Sequence, residues 1–85
     1  MRLAAIETTT EEFSQRVQRV RPGMRVRQVS AALGSGPFER LRRGERTVRR
    51  WRFLLGDVEL GDPYRLLQVE FIDGRVVESH VLLLG

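Results

Sequence analysis

Cysteine is absent from the 85 residues. Disulfides, thiolate metal sites and a cysteine nucleophile are therefore excluded. The staples that stabilise many small domains are missing, so packing must hold the fold. Lysine and asparagine are absent as well, and all 15 positive side chains are arginine. That bias reads as the coding preference of a GC-rich genome. Histidine occurs once, at position 80, which leaves no second imidazole for a metal site or a proton relay. No apolar run approaches the roughly 20 residues that span a bilayer. The start, Met1 to Glu7, lacks the apolar block of a signal peptide. As it stands the chain reads as cytoplasmic. The alternative is a chain that has lost its targeting segment.

What is present describes a small folded unit. The length implies a single domain, 1–85, with residues 1–8 a flexible N-terminal segment. A chain of this size buries only roughly 60–65% of the surface its unfolded form exposes. Its core is one or two layers thick, with no room for a large internal cofactor cavity. Charged residues make up 31% and the net charge is +4. That charge suits solubility and permits nucleic-acid contact without demanding it.

The pattern changes once along the chain. Residues 9 to 34 have helical spacing, and residues 47 to 84 have strand composition. A first helix is expected from Thr10 to Arg21. Thr9 caps it, Glu12 completes a capping box, and Glu11 and Glu12 complement the helix dipole. Phe13, Val17 and Val20 form its apolar stripe. Pro22 and Gly23 end it. A second helix runs from Arg25 to Leu33, lined by Val26, Val29 and Leu33, with Gly34 as a left-handed C-terminal residue. Residues 35 to 46 read as an irregular crossing.

Three strands follow, Thr47–Leu55, Tyr64–Ile72 and Val76–Leu83. Trp51, Phe53 and Leu55 alternate with Arg50, Arg52 and Leu54, and Leu67, Val69 and Phe71 with Gln68, Glu70 and Ile72. A three-residue turn, Ile72-Asp73-Gly74, would place Val77, Ser79, Val81 and Leu83 on the face of Phe71. Apolar continuity favours that register. The expected fold class is α+β: two N-terminal helices packed on one face of a three-stranded antiparallel β-meander. The expected core is Phe13, Val17, Val20, Met24, Val26, Val29, Leu33, Trp51, Phe53, Leu67, Val69, Phe71, Val77 and Val81. The outer face carries Arg50, Arg52, Gln68, Glu70, Glu78 and His80.

Few residues suggest chemistry. His80 reads as an exposed strand residue beside Glu78. The serines lack an activating context, and Gly34-Ser35-Gly36 is too short to cradle a phosphate. Asp57, Glu59 and Asp62 lack the ligand spacing of a calcium loop. The strongest local feature is basic: Arg40, Arg42, Arg43, Arg46, Arg49, Arg50 and Arg52, offset only by Glu39 and Glu45. Such a run can neutralise phosphates, which makes nucleic-acid binding the second functional reading. Leu54, Leu66 and Leu82 fall on one outer sheet face from three adjacent strands, with Leu41 and Leu84 also outside the core. If clustered, they make a patch for a partner.

The string Val20-x-x-Gly23-Met24, then Gln28-Val29, Leu33-Gly34 and Pro37, resembles the start of the SmpA/OmlA (BamE-like) family. Trp51-x-Phe53 is similar to a strand of that family, and Leu67-x-Val69-x-Phe71-x-x-Gly74-x-Val76 to its hairpin. The resemblance implies a helix-helix-strand-strand-strand order and a fold of the kind also found in secreted protein inhibitors of β-lactamase. It implies a non-enzymatic adaptor that binds other proteins. The chain departs from the pattern at Arg25, where a capping Thr or Ser is usual, in the longer Gly34-Ser35-Gly36-Pro37 loop, and in the Arg-rich segment. No lipobox cysteine is present, so membrane anchoring does not follow.

The leading expectation is thus a protein-interaction domain that needs no cofactor or metal. Its partner is another protein or a second copy of itself. The contact surface expected is Phe38, Leu41, Arg42, Arg43, Arg50, Arg52, Leu54, Leu66 and Leu82.

Overall fold

A computed structural model describes residues 4–34 and 36–82. The element order is β1 (Ile6–Thr8), α1 (Thr10–Arg19), α2 (Val26–Leu33), β2 (Phe38–Arg43), β3 (Arg46–Leu55), β4 (Tyr64–Ile72) and β5 (Arg75–Leu82). The fold is α+β, but the sheet is mixed and has five strands. The expected three-stranded antiparallel meander is corrected by β1 and β2.

Both extra strands use the same edge of β3. The other edge is taken along its length by β4, from Thr47↔Phe71 to Leu54↔Tyr64. β2 pairs antiparallel with the first half of β3, from Phe38↔Trp51 to Arg43↔Arg46. β1 pairs parallel with the last residues, Ile6↔Phe53 to Thr8↔Leu55. The crossing expected at 35 to 46 is therefore mostly hairpin. Its turn is Gly44-Glu45, with φ +62° at Gly44, a left-handed first position typical of two-residue hairpin loops. Residues 6–8 of the segment expected to be flexible form β1. Ser35 of the expected crossing, Leu83 at the end of the expected third strand, and Leu84 lie outside the described residues.

The helices form for local reasons. Thr9 Oγ1 accepts from the Glu12 N–H at 3.2 Å. Glu12 does not return the bond to Thr9; its carboxylate accepts from Thr8 Oγ1 at 3.0 Å. Asp57, far along the chain, accepts from the Thr10 N–H at 2.9 Å and from its hydroxyl at 3.0 Å. These bonds satisfy donors that a helix start leaves unpaired and place acidic groups at its positive end. α1 ends at Arg19 rather than Arg21. Arg25 has no hydroxyl with which to cap α2, and its N–H donates to Gln28 Oε1 at 2.8 Å instead. Gly34 closes α2 at φ +91°. The link between the helices is tied to β5: Gly23 N–H donates to Val76 O at 2.8 Å, and Val76 N–H to Met24 O at 2.9 Å.

The helices cover one face of the sheet. Phe13, Val20, Val29, Leu33, Trp51, Phe53, Leu55, Leu67, Val69, Phe71 and Val76 are buried there, with Val17, Met24 and Val26 at the margin. Phe13 meets Phe53 edge-on at 5.0 Å between ring centres, a favoured aromatic geometry.

The β4–β5 turn corrects the expected register. It has two residues, Asp73 and Gly74, both at positive φ, as Asp-Gly favours. Ile72 pairs with Arg75 and Phe71 with Val76, yet Glu70 pairs with Glu78. Val77 is thus the extra residue of a β-bulge, which resets the alternation. Val76 is buried in place of Val77, while Ser79 and Val81 still face Val69 and Leu67. Val81 is 44% exposed. It lines an open groove with Phe13, Val17 and Leu55 instead of closing the core.

Candidate functional site

Cross-strand partners share a face, so the registers sort the basic residues. Phe38, Arg40 and Arg42 pair with Trp51, Arg49 and Thr47 and point to the helix side. Arg43, Arg46, Arg50 and Arg52 alternate to the opposite, open side. The seven arginines that read as one basic run are therefore split between two faces. Of the expected contact surface, Leu41, Arg43, Arg50, Arg52, Leu54, Leu66 and Leu82 share the open face, while Phe38 and Arg42 do not. Phe38 packs on the core, its ring 5.6 Å from that of Trp51.

The open face is built in rows. At one end Leu54 pairs with Tyr64, and the next row is Arg52, Leu66 and Leu82. The three leucines, each half-buried, thus adjoin one another. The Arg52 guanidinium lies 4.4 Å from the centre of the Tyr64 ring, a cation–π contact that holds the long side chain against the sheet. In the middle, Arg50 pairs with Gln68 and Gln68 with His80. Arg50 Nε donates to Gln68 Oε1 at 2.8 Å.

At the other end the row is Leu41, Val48, Glu70 and Glu78. Two glutamates face each other directly, which is destabilising by itself. Arg46 resolves the conflict. Its Nη1 bonds the Glu78 carboxylate and lies 3.4 Å from Glu70 Oε1. Those two bonds raise the pKa of Arg46, the Glu78 contact acting most strongly. Gln68 Nε2 donates to Glu70 Oε2 at 3.4 Å. His80 Nε2 lies 3.7 Å from Glu70 Oε2 and 4.0 Å from Glu78 Oε2. Glu70 is only 4% exposed and Val48 only 2%, although among the described residues no helix covers this side. Neighbouring side chains, not a second layer, exclude water here.

Glu70, Glu78 and His80 place their ligand atoms within 4.8 Å of one another. This is a donor set for a divalent cation, but the guanidinium of Arg46 already bonds both carboxylates. Strand alternation puts Glu70, Glu78 and His80 on one outer face, and the β4–β5 register brings their ligand atoms together. The acidic connector serves as local caps: Asp57 holds Thr10, and Asp62 Oδ1 accepts from the Tyr64 N–H at 2.9 Å. Leu60, in the same connector, is 92% exposed.

No family model, no curated protein and no solved structure matches this chain. Among the described residues, no helix is long and apolar enough to cross a membrane.

Proposed function

We propose that this chain is a non-enzymatic protein-interaction domain, an adaptor of the kind its resemblance to the SmpA/OmlA (BamE-like) family implies. Its docking surface is the open face of the sheet, and its partner is another protein or a second copy of the chain. The observation that carries the reading is the patch of Leu54, Tyr64, Leu66 and Leu82 at one end of an uncovered face. Apolar groups gathered beside a charged network are what a partner surface offers: a desolvated centre with a polar margin. Arg52 and Tyr64 are residue types that often anchor such contacts.

The test uses Leu66→Glu and Leu82→Glu, with circular dichroism to confirm folding. Wild-type chain should self-associate in sedimentation equilibrium or retain a specific protein in a pull-down. The variants should lose that binding. A wild-type chain that stays monomeric and retains the same proteins as both variants would overturn the proposal.

A further inference from the structure

On the helix side of the sheet, Arg40, Arg42 and Arg49 line a groove of about 510 Å³. Val26 of α2 and Phe71 of β4 form apolar walls, and Thr47 adds a hydroxyl. Among the described residues, no carboxylate lines the groove, and none lies within 4.0 Å of these three guanidinium groups; the ion pairs all belong to Arg46 and His80 on the opposite face.

Three like charges are held together rather than dispersed. Arg40 and Arg49 are cross-strand partners. Both lie over the same Phe38 ring, at 5.9 and 4.2 Å from its centre. Phe38 in turn rests on the buried Trp51. The Arg49 Nε is buried and has no hydrogen-bond partner among the described residues. Its burial, and then the charge of Arg40, lower the pKa of Arg49. A buried donor left unpaired beside a like charge is unfavourable, and an anion relieves both costs at once.

We infer that this groove is a binding site for a phosphoryl group, presented by a free phosphate compound or by a nucleic-acid backbone. The donor set favours a phosphoryl group over a carboxylate. A terminal phosphate offers three oxygens and up to two charges to the guanidinium forks, and a strand backbone offers successive singly charged phosphodiesters, whereas a carboxylate has two oxygens and one charge. The site is separate from the open face and does not depend on its role.

The chain supplies its own control. Arg49 and Arg50 are adjacent in β3 but point to opposite faces, so Arg49→Gln and Arg50→Gln remove the same charge from different places. Calorimetric titrations with inorganic pyrophosphate and with a short oligothymidylate compare the two variants with wild type. Arg49→Gln should weaken binding by about tenfold or more, the scale of a lost charge-assisted hydrogen bond. Arg50→Gln should stay within roughly twofold, the scale of a distant exposed charge. Arg40→Gln, at an exposed position, repeats the test should Arg49→Gln not fold. Pyrophosphate binding alone assigns the site to a free phosphate compound. Tighter oligothymidylate binding that falls steeply with salt assigns it to a strand backbone. No binding of either probe at low salt, or equal weakening by Arg49→Gln and Arg50→Gln, would overturn the inference.

Discussion

The two faces of one sheet achieve burial in different ways. On the helix side Trp51, Phe53, Leu67 and Val69 are fully buried under two helices. On the open side Val48, Gln68 and Glu70 are buried nearly as well, with no layer above them among the described residues. There the cover is a cross-strand network of Arg46, Arg50, Gln68, Glu70 and Glu78. The first face is held by packing, which is insensitive to charge. The second depends on each charge having its partner. The comparison shows that low exposure on an uncovered strand reflects long side chains lying flat, and that such a face ends wherever the partners run out. It runs out at Leu54, Leu66 and Leu82.

The comparison can be broken at its strongest point first. Trp51→Ala should cost about 3–5 kcal/mol, the range for a large buried aromatic. Val48→Ala on the open face should cost clearly less, because its neighbours can relax toward solvent; urea unfolding of both variants measures the difference. Trp51→Phe should lose much less than Trp51→Ala, since it also removes an indole N–H that is buried without a partner. Next comes the edge that β1 adds. A side chain at Gly36 would collide with Ile6. Gly36→Ala should therefore cost roughly 1–3 kcal/mol, as overpacking does, with the loss of hydrogen-exchange protection concentrated in β1.

On the open face, Arg46→Ala should lower the melting temperature more than Glu78→Ala. The first leaves buried Glu70 opposite Glu78 without its cation; the second removes an exposed group and the repulsion with it. Equal shifts in thermal unfolding would show that the network does not hold this face.

The smallest effect concerns α1. The Thr10 N–H bond is the main cause that lowers the Asp57 pKa below its ordinary 3.8. A carboxyl whose folded pKa is depressed stabilises above its unfolded pKa, and that contribution is lost as pH falls through the folded value. Asp57→Asn should therefore lose stability at neutral pH and lose less than wild type when acidified below about 3.8. Parallel acid titrations of the two proteins would expose a slope that does not change.

Much of this architecture is legible in residue order. Thr9, Pro22-Gly23 and Gly34 punctuate two helices, and the alternation of Trp51, Phe53 and Leu55 marks a half-buried strand. β2 escaped the same logic because its inward positions are Phe38, Arg40 and Arg42; two arginines on the covered side erase the apolar alternation. Gly44-Glu45 carried the only local sign of a hairpin. β1 offered less still, since three residues in a parallel pairing leave no periodicity. For the open face, the leucine patch was foreseen from alternation alone. The burial of Glu70 was not, because nothing near it in the chain reveals Arg46.

Residue order alone determined the local choices: where the two helices lie, where β3, β4 and β5 extend, and which positions of β3 and β4 are apolar. These follow from propensities, caps and period, each decided within a few neighbours. Tertiary structure alone decided that β1 and β2 share one edge of β3, that a bulge at Val77 resets β5, and that seven arginines divide between two faces. Those outcomes depend on register, and register is set by the packing of segments distant in the chain, where one residue of slip moves every side chain to the other side.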